Sequence, residues 1–240
     1  MKRFEPVREG YESLIEKYPT NAGVRVAYAS FLKDLGEEDA EKDQLEKARE
    51  LDPKDPAVWN NLANYYGEFS PQSKAFDYYQ KAIQLDPTEA VYYWNFATTV
   101  YLYRKDAREY FHINEQQVFD KSLDLYAQAL QRDPTNFVLA TDLAESYYGI
   151  KPARTEAALV AWTNALRIAS TEVEREGVYL HLARFKMYYA GRLAEARAHL
   201  NDVTNAMYAE LKKRLVRNLE EREKAVARTN GPPAKVSEGD

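Results

Sequence analysis

Residues 56–89 read PAVWNNLANYYGEFSPQSKAFDYYQKAIQLDPTE. Trp59, Leu62, Ala63 and Tyr66 recur at i, i+3, i+4 and i+7, the spacing of one face of a helix. Ala75, Tyr79 and Ala82 mark a second apolar face, and Pro87 cannot continue it. Small residues on both faces let two helices approach closely, while Trp59, Leu62, Tyr66 and Tyr79 fill the space around them. The stretch therefore predicts a helical hairpin.

The same punctuation returns along the chain. Asp-Pro closes a segment at Asp52-Pro53, Asp86-Pro87 and Asp133-Pro134. Pro53 and Pro87 are 34 residues apart, and the next interval is thirteen longer. An Ala lies five residues before each Pro (Ala48, Ala82, Ala129), and a large apolar residue lies eight before it (Leu45, Tyr79, Tyr126). The period divides the chain into a half-unit at 1–21, units at 22–55, 56–89, 90–136 and 137–172, and a degenerate unit at 173–210. The third unit carries the thirteen extra residues between Val100 and Ser122. They read as a lengthened first helix, a short turn near His112 to Asn114, and an early start to the second helix. From Val203 to 228, Val203, Met207, Leu211, Leu215 and Leu219 predict one long capping helix, since terminal repeats need a polar outer face. The tail from 229 to 240 has the composition of a disordered end.

Trp, Leu, a small residue, Tyr, then Ala, an aromatic, Ala and Pro at these spacings resemble the tetratricopeptide repeat, a 34-residue helix–turn–helix unit. In the stretch at 56–89 only the turn Gly departs, with Ser70 in its place. The copy at 22–55 departs further, at Arg25 where an apolar residue is expected and at Glu41 where Ala is. The resemblance covers about residues 7 to 203 and implies an all-α, right-handed α-solenoid with a concave and a convex side. In that family the first helix of each unit lines the groove, where peptides or partner helices bind. Carried over by position, the peptide-binding candidates are Asn60, Asn61, Asn64, Trp94, Asn95, Tyr101 and Tyr148. Val26 and Val91 stand where the family's carboxylate-clamp members have Lys, which argues against that mode.

Composition narrows the rest. The 240 residues hold 33 Lys and Arg against 38 Asp and Glu, a net charge of −5, so a general phosphate-binding surface and hence nucleic acid are not expected. The segment 212–228 carries seven bases and three acids but no stacking aromatic, and its bases suit a helix C-terminus. With no Cys there is no thiolate metal site and no disulfide frame. No 18-residue apolar run predicts a membrane span. Acidic residues interrupt any signal core after Met1-Lys2-Arg3, so the expected compartment is cytoplasmic, or periplasmic or secreted had a signal been removed. His112, His181 and His199 form no metal-binding spacing, and no phosphate loop or nucleophile elbow appears. No cofactor is expected. The reading is a non-catalytic scaffold that binds a protein or peptide partner in its groove. Two alternatives stay open: a metal-assisted or hydrolytic site on the insertion 101–118 using His112, and a self-associating structural protein, a homo-oligomer joined through its insertion or terminal helix.

Overall fold

The structure is a computed structural model that describes residues 4–229. These residues form thirteen α-helices and two short 3-10 turns, with no strand among them. The chain divides into two compact units, one ending at Pro134 and one beginning at Thr135. Each is a stack of helical hairpins, the α-solenoid class.

In the first unit, α1 (Glu5–Lys17) precedes three hairpins. They are α2 (Ala22–Asp34) with α3 (Glu38–Leu51), α4 (Pro56–Phe69) with α5 (Gln72–Leu85), and α6 (Ala90–Leu102) with α8 (Glu115–Arg132). Each first helix starts on a side-chain cap. Asn21 accepts from the Val24 amide, Asp55 from Ala57 and Glu89 from Val91, satisfying amides that the first turn leaves unpaired. Each second helix ends just before Pro53, Pro87 or Pro134. Between the helices, Ala48, Ala63, Ala75, Ala82, Ala97 and Ala129 are fully or almost fully covered. With only a methyl group at those places the backbones close to contact distance, and Leu62, Phe76, Tyr79 and Phe96 fill the remaining space.

The insertion corrects the sequence expectation. The first helix of the third hairpin is not lengthened: α6 stops at Leu102, and a separate helix, α7 (Arg104–Phe111), follows Tyr103. The reason lies in α7's own apolar residues. Ala107 is buried, and Tyr110 and Phe111 stand 5.2 and 5.5 Å from the Phe76 ring. Reaching α5 requires the chain to leave the α6 axis. Arg104 caps the break by donating to the Tyr101 carbonyl at 2.8 Å, and Lys121 lies 4.2 Å over the Phe111 ring. The turn falls at His112, which adopts a left-handed conformation (φ 55°) before Asn114 caps α8 with Gln117 in a capping box.

The second unit comprises α9 (Phe137–Ser146), α10 (Thr155–Ile168), α11 (Glu172–Tyr188), α12 (Leu193–Asn201) and α13 (Ala209–Thr229). Here too one expectation needs correction. The terminal helix does not begin at Val203, and Met207 is exposed rather than part of its apolar stripe. The carboxylate of Glu176 on α11 accepts from the amides of Thr204 and Asn205 at 2.9 and 2.7 Å and from the Thr204 hydroxyl. Those amides are thereby held out of any helix. Hydrogen bonding from Asn205 keeps the Glu176 carboxyl below its usual pKa. Tyr208 then donates to the Val173 carbonyl, lying so close over Gly177 that a Cβ there would sit 2.9 Å from its hydroxyl. Helix α13 begins only after this latch, and Leu215 and Leu219 join Leu180, Ala183, Met187, Leu200 and Val203 in one apolar cluster. Met1 to Arg3 and residues 230–240, most of the expected tail, lie outside the described residues.

Glu41 occupies on α3 the place that Ala75 holds on α5. It is 4% exposed, and its Oε2 has no hydrogen-bond partner. Burial raises its pKa, with Lys33 opposing and Glu68 and Glu38 adding to the shift. A carboxyl whose folded pKa is raised supports folding most where it is protonated, below the usual carboxylate range. That support fades as pH rises through the raised value. Glu41→Ala is expected to stabilise the protein by about 1 kcal/mol at pH 7, the lower end for relieving an unpaired buried group. The gain should shrink toward pH 4, as read by urea unfolding across that range.

Candidate functional site

The candidates lie in both units. In the first unit, α4 and α6 carry six of them in successive first helices. Asn95 on α6 donates from Nδ2 to Oδ1 of Asn60 on α4 at 3.1 Å, so the two amides form a rung between neighbouring helices. Asn60 is 7% exposed and its carbonyl is spent on this rung, which leaves the Oδ1 of Asn95 and the amide group of Asn60. Asn61 donates back to the Ala57 carbonyl of its own helix at 2.8 Å, leaving its acceptor oxygen for other partners. Asn64 accepts from the Tyr79 hydroxyl at 2.7 Å, and Tyr79 in turn accepts from Thr99 at 3.1 Å. Burial pushes the Tyr79 phenol well above its usual pKa, so it stays a neutral link in this chain. Trp94 is half-buried on α6, one position before the rung.

Tyr101 is placed differently. Its ring lies 6.1 Å from that of Phe119 on α8, and Arg104 of α7 covers it at 5.1 Å. The separate helix that the insertion forms thus claims Tyr101 for packing at the end of α6. The sequence could not reveal this while α6 and α7 were read as one helix.

In the second unit, Tyr148 belongs to an aromatic cluster. Its ring is 4.5 Å from that of Phe185, and its hydroxyl shares a 3.0 Å hydrogen bond with His181 Nδ1. The His181 ring stacks on Trp162 at 4.0 Å and 12°. Arg184 lies over the Tyr148 ring at 5.0 Å. Burial chiefly, and Arg184 next, lower the His181 pKa to about 4, and burial raises that of Tyr148. His181 and Phe185 fall at groove-facing places of the degenerate unit, four residues apart on one helix face, whereas Trp162, on the second helix α10, is a part of this site that the groove pattern did not single out.

No metal-ligating arrangement was found on the insertion. His112 is exposed at the end of α7, and Glu115 lies 4.0 Å from the Arg104 guanidinium. Among the described residues no three His, Cys, Asp or Glu side chains converge so as to hold a metal. Among the same residues no helix is long and apolar enough to cross a membrane.

The tetratricopeptide-repeat family model matches residues 56–89. No curated protein sequence matches the chain. Among solved structures, a Pseudomonas aeruginosa PilF is 20% identical with a TM-score of 0.61, over 86% of this chain and 87% of that one. YrrB, described as a TPR protein with an unusual peptide-binding site, is 14% identical with a TM-score of 0.57, over 86% of this chain and 99% of that one. Yeast Tom70 is 16% identical with a TM-score of 0.60, over 93% of this chain and 44% of that one. At these identities the likeness concerns the fold.

His181 supplies a pH test of the second unit. Its folded pKa lies below the ordinary value near 6.5, so the unfolded chain binds its proton more readily. Stability is complete near neutral pH and declines as pH falls from about 6.5 toward 4. Between pH 7 and pH 5 the loss amounts to about 2 kcal/mol from this residue. His181→Phe should flatten that part of the pH profile of thermal unfolding. In wild type, the His181 ring carbon signals should stay unshifted by NMR down to about pH 5.

Proposed function

We propose that this chain, which carries a tetratricopeptide repeat at 56–89 within a fold of stacked helical hairpins, is a non-catalytic interaction scaffold. Its ligand is a peptide or helical segment of a partner protein, bound on the first-helix face of the first unit. The observation that carries the reading is the Asn60–Asn95 rung between α4 and α6. Two amide side chains on consecutive first helices offer donors and acceptors at a spacing fixed by the helix packing. An extended peptide backbone presents the complementary groups. Trp94 beside the rung supplies the aromatic area that anchors interfaces. The peptide-binding site named for YrrB, a similar fold, points the same way.

On this reading Asn61 and Asn64 border the site, each with one polar group already used inside the protein. Tyr101 does not belong to it, and Tyr148 serves a separate aromatic surface on the second unit. Affinity capture with the purified chain, followed by a peptide scan of the captured protein, tests the proposal. Asn95→Ala and Trp94→Ala should each weaken the captured peptide by about tenfold or more, the effect of losing an interface anchor. Circular dichroism should stay unchanged. Retention of full affinity by both variants would place binding elsewhere.

A further inference from the structure

The first helices of the first unit are nearly free of charge. Helix α6 holds no charged residue, α4 holds Glu68 alone, and α2 holds Arg25, Lys33 and Asp34. Their hairpin mates differ: α3 is charged at nine of its 14 residues. The few charges on the first helices are engaged or peripheral. Lys33 pairs with Glu68, Arg25 donates to Gln44 of α3 at 3.0 Å, and Asp34 closes α2. A helix side that meets only water ordinarily carries charge. Here that side stays accessible without it: Ser30 is exposed, and Asn61, Asn64, Trp94, Asn95 and Thr98 are half-buried.

The second unit does not share this feature. Its helices α9 and α11 carry Asp142, Glu145 and Arg184 among the residues that the core leaves accessible. The uncharged face is therefore a property of α2, α4 and α6 and not of the hairpin fold.

Hydrogen bonding within the protein decides what the face still offers. The Ser30 hydroxyl donates to the Val26 carbonyl at 3.2 Å and the Thr98 hydroxyl to the Trp94 carbonyl at 3.1 Å, so both hydroxyl protons are spent. Asn61 and Asn95 donate from Nδ2 to the Ala57 carbonyl and to Asn60, and their Oδ1 atoms remain as acceptors. Asn64 accepts from the Tyr79 hydroxyl and keeps its Nδ2 as a donor. The groups left for a ligand are neutral amides.

A carboxylate brought against this face loses its water and gains no cation, and an ammonium or guanidinium gains no anion. The charged ends of a chain meet the same obstacle. A carboxamide or hydroxyl side chain supplies a donor and an acceptor without the hydration of an ion. An extended backbone supplies the same pair at each residue, whereas a helical one has spent its amides and carbonyls on itself. Given the peptide-binding role proposed above, on which this rests, we propose that the segment bound is an extended, uncharged stretch from the interior of a partner chain, rich in Asn, Gln, Ser or Thr, with an apolar residue against Trp94.

Panning the full chain against displayed random peptides tests the proposal. Peptides of about ten residues reach across three packed helices, and both their ends are embedded in the displaying protein. Clones that bind the wild type but not Asn95→Ala or Trp94→Ala are sequenced. Asp, Glu, Lys and Arg should fall to about half their frequency in the unselected library or lower, because each would be desolvated without a partner. Asn, Gln, Ser and Thr should rise. Resynthesised with acetylated and amidated ends, the selected peptides should change in affinity by less than about twofold from about 50 to about 500 mM salt. One Asp or Lys introduced at the middle should weaken them by about tenfold or more. Enrichment of acidic or of basic residues, or a larger salt dependence, overturns the proposal while leaving peptide binding in place. If no clone depends on Asn95 or Trp94, the peptide-binding role itself fails, and this ligand class with it.

Discussion

The close approach of two helices across alanine depends on a few atoms. Where Ala63, Ala75 and Ala82 meet, no side chain holds the backbones apart, and dispersion contacts accumulate along the whole hairpin. Everything larger is arranged around that contact. Leu62, Phe76 and Tyr79 fill the flanks, and one hairpin offers the next an apolar edge it could not bury alone. The chain tolerates departures from the rule where they are local. Glu41 replaces a small residue inside a hairpin and remains there at a cost.

Polar groups inside the first unit are organised by the same packing. Because α4 and α6 are held at a fixed separation, Asn60 and Asn95 meet across it, and Tyr79 links Asn64 to Thr99. A buried amide without a partner would cost folding energy, so each asparagine spends one group internally. What remains is oriented, because the group already used fixes the side-chain rotamer. Preorganised amides of this kind lose little entropy when they meet a peptide backbone. The second unit builds a different cluster, in which Tyr148, His181, Trp162 and Phe185 pack as rings and a hydrogen bond joins Tyr148 to His181.

Irregular segments follow the needs of their neighbours. Helix α7 exists because Tyr110 and Phe111 find Phe76, which α6 prolonged in a straight line would not reach. The delay of α13 to Ala209 reflects the amides that Glu176 captures and the tyrosine that Gly177 admits. In both places a long-range contact outweighs local helix propensity, which is a small effect per residue.

The amino-acid pattern alone carried the all-α hairpin class and the repeat at 56–89, because alanine, aromatic and proline spacing report helix packing directly. It also carried a single helix ahead of the first hairpin. Two things needed tertiary structure. Asn60 is largely buried in a rung with Asn95, 35 positions away, and spacing along one helix says nothing of such a partner. Tyr101 is claimed by Arg104 and Phe119 because the insertion turns, and a helix break set by contacts on α5 leaves no proline or glycine to read.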